Sequence, residues 1–323
     1  MKFESKEALA AYFLEHPNLT RLEIHNFAEC ESLPLLPSSL NNLVIDDCPG
    51  LTMPQDLPSA LTELVISRCP EIAELSKLPS SLTILRVYNC LELTMPQDLP
   101  GGLTELVMYN CPAITNLPEL PSSVAKLWID TCPEIKKLPV LPRSLIDLQV
   151  YDGAKIRSLP VLPESLTRLL VDNCPWIMCF PKLPKSLTSL EVYNSSGLTN
   201  LPALPPALIN LLVANCPRLT CLPVLPTSLI NLAIYSCPKI IVLPKLPGSL
   251  TKLLIDTSPW LAGLRELPSS LSTLTINHCS RLTMPRELPS GLSELVTVSY
   301  THLKTPRSLL APGPPSSARS RPW

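Results

Sequence analysis

The sequence predicts a repeat solenoid, mainly β, built from short parallel strands. Three observations carry that prediction: a fixed 21-residue period, a two-residue apolar alternation at one place in each unit, and an unusual proline load. The 323 residues include 39 prolines against 9 glycines. Proline disrupts helix interiors and central strands, so a helical bundle and an ordinary sandwich are both disfavoured. If the leucine of the "SLxxL" phrase is position 1, the units begin at Leu19, Leu40, Leu61, Leu82, Leu103, Val124, Leu145, Leu166, Leu187, Leu208, Leu229, Leu250, Leu271 and Leu292. Every step is 21 residues, with no insertion or deletion.

The elements follow from the columns of this repeat. Position 4 is leucine in all fourteen units, and position 6 is Ile, Val or Met from Ile24 to Ile276. Polar neighbours between them give the period of a strand over about positions 3 to 7. Position 12 is Leu or Ile from Leu51 to Leu282, and position 18 is leucine in thirteen units. Proline stands at positions 10, 15, 16 and 19 in 32 of its 39 occurrences. The leg that returns the chain to the next strand is therefore extended or polyproline-like. One such unit buries too little to stand alone, so the units must stack and share a core. Ahead of the repeats, residues 5 to 15 read as a helix. Ser5 can cap it, Glu7 suits its first turn, and Leu9, Tyr12 and Phe13 form its apolar stripe. The expected organisation is a helical cap over 1–18, a solenoid over 19–296 and a non-repeat tail over 297–323.

Composition narrows the function classes. With 26 basic and 27 acidic residues the net charge is -1, which argues against a nucleic-acid backbone as partner. No apolar run of about 18 residues exists to span a bilayer, and Met1 to Phe13 holds too many charges for a signal peptide. The chain is expected in the cytoplasm, or secreted into a host cell without a cleavable leader. The twelve cysteines then read as reduced thiols. Nine of them occupy position 9: Cys48, Cys69, Cys90, Cys111, Cys132, Cys174, Cys216, Cys237 and Cys279. A metal or redox array is the functional alternative. A buried ladder of small side chains that donate weakly to carbonyls is favoured, because Gly153, Ser195 and Ser258 replace cysteine without disturbing the period. Cys30, Cys179 and Cys221 stand off the ladder. The four histidines are scattered, and no triad order, phosphate-cradling loop or zinc spacing is present. The sequence thus assigns no catalytic residue, cofactor or metal.

The informative surface is the concave face, where positions 3, 5 and 7 point away from the core. Tyr88, Tyr109, Tyr151, Tyr193 and Tyr235 share position 7, and Asp46, Asp130, Asp172 and Asp256 fill the same column. Trp128 lies beside it at position 5. Tyrosine joins apolar area to a hydroxyl and loses little entropy on binding, so it anchors interfaces well. It also favours strands, and duplication copies it. The candidate partner-binding set is Tyr88, Tyr109, Trp128, Asp130, Tyr151, Asp172, Tyr193 and Tyr235. Trp176 and Trp260, at position 11, are assigned to edge packing.

The unit LxxLxVxxCPxLxxLPxLPxS resembles a leucine-rich repeat. Phrases such as Leu138–Val150, "LPVLPRSLIDLQV", resemble the repeats of bacterial secreted effectors of the YopM and IpaH type. The resemblance covers Leu19 to Leu295. Those effectors usually carry asparagine at the ladder position, where this chain has cysteine followed by proline. The "NCPxL" phrase also resembles repeats of plant intracellular immune receptors. The resemblance implies a right-handed horseshoe with a parallel concave sheet. It also implies a non-enzymatic scaffold that binds a protein on that face. Two alternatives come with it: the substrate-recognition fragment of a ubiquitin-ligase effector, and a ligand-sensing module of immune-receptor type.

The repeat stops abruptly at Thr297, where position 6 should be Ile or Val. From there to Trp323 the chain has four basic residues, no acidic one and no period. Thr297–Leu303 resembles a translation of a transposase adapter, so residues 297–323 are expected to be a disordered artefact or fusion scar. An uncapped last strand would then invite self-association through its edge.

Overall fold

The computed structural model describes residues 5–27, 31–54, 56–75, 77–264, 266–285 and 287–298. One helix, α1 (Lys6–Glu15), precedes fourteen five-residue strands. These are β1 (Arg21–His25), β2 (Asn42–Asp46), β3 (Glu63–Ser67), β4 (Ile84–Tyr88), β5 (Glu105–Tyr109), β6 (Lys126–Asp130), β7 (Asp147–Tyr151), β8 (Arg168–Asp172), β9 (Ser189–Tyr193), β10 (Asn210–Ala214), β11 (Asn231–Tyr235), β12 (Lys252–Asp256), β13 (Thr273–Asn277) and β14 (Glu294–Val298). They form one sheet in sequence order. Every neighbouring pair is parallel and in the register of the repeat, as in Leu127↔Leu148 and Leu148↔Leu169. Each strand occupies positions 3 to 7, as the alternation predicts. Positions 4 and 6 point into one continuous core, which the residues of positions 1, 9 and 12 complete from the other side.

Two tight turns per unit fold the rest of the 21 residues back. In the first, the amide of position 12 donates to the carbonyl of position 9, as from Leu219 to Cys216 at 3.2 Å. Proline at position 10 is then the second residue of a four-residue turn, where its fixed φ is already suitable. In the second, the amide of position 1 donates to the carbonyl of the proline at position 19 of the preceding unit, as from Leu40 to Pro37 at 3.1 Å. Serine at position 21 donates across to the carbonyl of position 1, as from Ser144 to Val124 and from Ser228 to Leu208, both at 2.7 Å. The recurrent serine thus satisfies a carbonyl that the strand ladder leaves over.

Position 8 is a feature the periodicity does not reveal. Thirteen residues there, from Asn26 to His278, have φ between 48° and 56°. The left-handed turn aims the amide of position 8 at the carbonyl of position 7 in the next unit, as from Asn89 to Tyr109 at 2.8 Å. Asparagine and aspartate tolerate this conformation and fill eight of these positions, whereas a β-branched residue is strained in it. Thr257→Asn is therefore expected to stabilise the protein by about 1 kcal/mol. A raised midpoint in urea checks this, and an unchanged or lowered one contradicts it.

The position-9 ladder is structural in its geometry. All nine thiols are buried, and each Sγ donates to the carbonyl two residues before it at 3.1–3.5 Å. Ser195 and Ser258 make the same bond at 3.1 and 3.3 Å. Gly153 leaves room for its neighbour, since a Cβ there would lie 2.7 Å from Cys174 Sγ. Burial pushes the Cys90 thiol up to about 11 and the Cys174 thiol up to about 12. Thiolate is the reactive form, so both should resist alkylation in the folded protein at pH 8 and react only on unfolding. Site-resolved mass spectrometry after iodoacetamide treatment should instead find label on the exposed Cys179 and Cys221. Cys30 lies outside the described residues.

The ends of the solenoid differ. At the first end α1 contributes to the core, with Leu9 and Phe13 buried in it and Tyr12 packed against it. Ser5 Oγ accepts from the Ala8 amide at 3.2 Å, and the His16 ring stacks on Tyr12 with centroids 4.1 Å apart. At the other end β14 runs on through Thr297 and Val298, which pair with Ile276 and Asn277. The strand thus extends two residues into the segment expected to lie outside the repeats. Leu295, at position 4, is 38% exposed, while Leu274 in the preceding strand is fully buried. The rest of the expected tail, 299–323, lies outside the described residues.

Candidate functional site

Register converts the position-7 column of the sequence into a physical row. Tyr88, Tyr109, Asp130, Tyr151, Asp172 and Tyr193 are successive partners across β4 to β9. Ala214 interrupts the row, and Tyr235 and Asp256 resume it. Neighbouring strands lie about 4.8 Å apart, so tyrosines on alternate strands flank each aspartate. Tyr109 is 41% exposed, and the other four tyrosines are half-buried. Trp128 reaches sideways to Tyr151, with ring centroids 5.9 Å apart and planes tilted by 42°. Lys126 Nζ lies 5.8 Å from the Trp128 ring centroid. All eight candidate residues therefore share one face, in one row or beside it.

Two hydroxyls are fixed by position-5 side chains. Tyr151 donates to Gln149 Oε1 and Tyr193 to Glu191 Oε2, both at 3.2 Å. Burial raises the Tyr88, Tyr151 and Tyr235 hydroxyls above the ordinary phenol value. Burial followed by the Glu191 charge raises Tyr193 further. These rings are thus neutral donors at physiological pH. Burial also raises the Asp130 carboxyl, with Thr131 opposing by donating to it and Asp152 adding like charge.

Sequence reasoning missed the columns beside this row. At positions 3 and 5, Arg86 bridges Glu63 and Glu105, each at 2.8 Å, and Lys126 approaches Glu105 at 3.7 Å. Arg168 pairs with Glu191 at 3.3 Å. The alternation of sign down position 3, through Glu105, Lys126, Asp147 and Arg168, was readable along the repeat, because in-register stacking makes residues 21 apart neighbours. Position 5 points away from the core as expected, yet Val107, Gln149 and Leu170 are buried there. Side chains of adjacent strands crowd on the inner side of the curve and cover one another. Position 8 adds a rim, where Asn110 donates to Asn89 at 2.9 Å and Asn215 to Asn194 at 2.8 Å.

The face also carries unmet hydrogen-bonding capacity. Asn42, Asp46, Asn231 and Asn277 each hold a buried side-chain oxygen with no hydrogen-bond partner, and all four stand at positions 3 or 7. Buried acceptors without a donor are costly, and a partner that supplies donors removes the cost. Among the described residues no group of three or more His, Cys, Asp or Glu side chains is arranged to hold a metal ion. Trp176 and Trp260 lie off this face, past the strands. Trp176 is 60% exposed, and Arg281 stacks over Trp260 with its Cζ 4.1 Å from the ring centroid.

The fold is similar to that of YopM from Yersinia enterocolitica WA-314. That match has 27% sequence identity and a TM-score of 0.53, and covers 93% of this chain and 80% of that one. YopM from Yersinia pestis, a leucine-rich effector protein, matches at 26% identity with a TM-score of 0.58, over 92% of this chain and 94% of that one. No protein-family model matches the chain, and no curated protein matches it.

Proposed function

We propose that this leucine-rich-repeat solenoid is a non-enzymatic recognition scaffold, of the secreted bacterial-effector kind, that captures a protein partner on its concave sheet. The observation that carries the reading is the unbroken Tyr–Asp row from Tyr88 to Tyr193, in register across six strands of the concave face. Rigid, half-buried aromatic anchors are what an interface centre requires. The similarity to the YopM structures supports the effector kind. Among the described residues no helix is long and apolar enough to cross a membrane. Replacing Tyr109, Tyr151 and Tyr193 together by alanine should weaken partner capture by about 100-fold, at about 1 kcal/mol or more per anchor. The circular dichroism should stay unchanged. Undiminished capture by the folded variant would move the function to another surface.

Self-association along β14 is a separate proposal, supported by the exposure of Glu294 and Leu295 on that strand. Sedimentation velocity should then show a dimer that grows with concentration, and Leu295→Lys should abolish it. A monomer at all concentrations would refute it.

A further inference from the structure

The charge on the concave face is paired unevenly. Asp46 is met by Arg68 at 2.7 Å and His25 at 3.3 Å, and Asp256 by His278 at 3.0 Å. Glu63, Glu105 and Glu191 are met by Arg86, Lys126 and Arg168. Asp130, Asp152 and Asp172, on three successive units, have no cation among the described residues. Thr131 Oγ1 bridges Asp130 and Asp152 at 2.8 and 3.1 Å. Asn173 donates to Asp152 at 2.6 Å and Asn194 to Asp172 at 2.7 Å. These neutral donors hold the carboxylates in place without cancelling their charge. Tyr151 stands between Asp130 and Asp172 in the row, with Trp128 beside it. Aromatic faces next to uncancelled carboxylates suit the apolar stem and charged head of Lys or Arg.

Further along the same face the character changes. Ala214 leaves a gap in the tyrosine row between Tyr193 and Tyr235. At position 5, Leu212, Ala233 and Leu254 follow one another across β10, β11 and β12. They line a depression of about 340 Å³, bounded by Glu191, Asn231 and Lys252. A floor with alanine between two leucines accepts an apolar side chain, and the Asn231 oxygen there lacks a donor. From β7 to β11 is four strand spacings, or about 19 Å. An extended segment covers that distance in about six residues and a helix in about thirteen.

We propose that the partner element is a basic segment with an apolar anchor. Its Lys or Arg side chains lie over Asp130, Asp152 and Asp172, and its anchor, about 19 Å away, fills the depression over Ala233. Charge complementarity selects this occupant, because this stretch of the face offers carboxylates without a cation, while the nearby Arg86, Lys126 and Arg168 are already engaged by its own glutamates. The inference rests on the concave-face reading and specifies the chemistry of what binds there.

The test is selection of random 20-residue peptides, displayed on ribosomes, against the immobilised full chain. Survivors are then measured against three folded variants by fluorescence anisotropy: the triple tyrosine variant, Asp130→Asn/Asp152→Asn/Asp172→Asn, and Ala233→Trp. Peptides that depend on the tyrosines should be enriched in Lys and Arg. They should also weaken about tenfold or more with the asparagine variant, with a steep loss of affinity in salt. Ala233→Trp should weaken them comparably, and an Ala scan of the peptide should place the critical apolar residue away from the cationic cluster. Tyrosine-dependent peptides that are acidic, or that bind both other variants unchanged, would overturn this inference and leave the concave-face reading standing. Recovery of no tyrosine-dependent peptide would overturn both.

Discussion

Leu148→Ala is expected to lower stability by about 3–5 kcal/mol. Leu148 is fully buried at position 4 of β7, between Leu127 and Leu169, which are fully buried as well. Truncation removes apolar burial and leaves a cavity, and a core in which every rung repeats has little freedom to collapse into it. Each unit packs only on its neighbours, so the loss is concentrated at one interface. Urea unfolding should change from one transition toward two, with the units before and after β7 separating in stability. Ile146→Ala, two residues away at position 2 and 48% exposed, should cost less than about 1 kcal/mol. Equal effects of the two substitutions would contradict the assignment of the core.

The second large effect is expected on the thiol ladder. Cys90 is fully buried, and its Sγ donates to the Tyr88 carbonyl at 3.5 Å. Cys90→Ser should lie within about 1 kcal/mol of the wild type, because Ser195 and Ser258 already make this bond from the same position. Cys90→Asp should cost more than about 3 kcal/mol. A carboxylate there faces a carbonyl instead of donating to it, and no cation lies on the ladder. Chemical denaturation of the two variants decides the point. If both are near-neutral, the rung is not closely packed. If both are severe, the thiol has a role that a hydroxyl cannot take.

What was legible in the sequence was whatever the period enforces. A strict 21-residue step with Leu at position 4 and Ile or Val at position 6 fixes the strand, its register and its buried face at once. Slipping by one residue would expose every one of those side chains. Ser5 and the Leu9–Phe13 stripe likewise carried the helix. Position 8 escaped because a left-handed residue leaves no apolar signature. Its mark is the run of Asn and Asp broken by Arg68, Thr131, Ser236, Thr257 and His278, and only the backbone shows that all of them turn alike. The site was half legible. The Tyr–Asp row could be read as a column, since register was already implied. The unpaired state of Asp130, Asp152 and Asp172 could not, because it depends on which neighbours reach which carboxylate. Arg68 reaches back to Asp46, for example, whereas Thr131 offers only a hydroxyl. The depression over Ala233 escaped for a related reason: three small or apolar residues at position 5 look ordinary until their neighbours' height is known.

The concave row, and not the convex proline leg, is expected to meet the partner. A photo-crosslinking residue placed at Tyr109, Tyr151 or Tyr193 tests it against the same residue at Val140 or Val161, which are more than 80% exposed on the return leg. Irradiation in the presence of a binding partner is expected to give the same covalent adduct from all three tyrosine positions and none from the two valines. Adducts from the valine positions alone would contradict it.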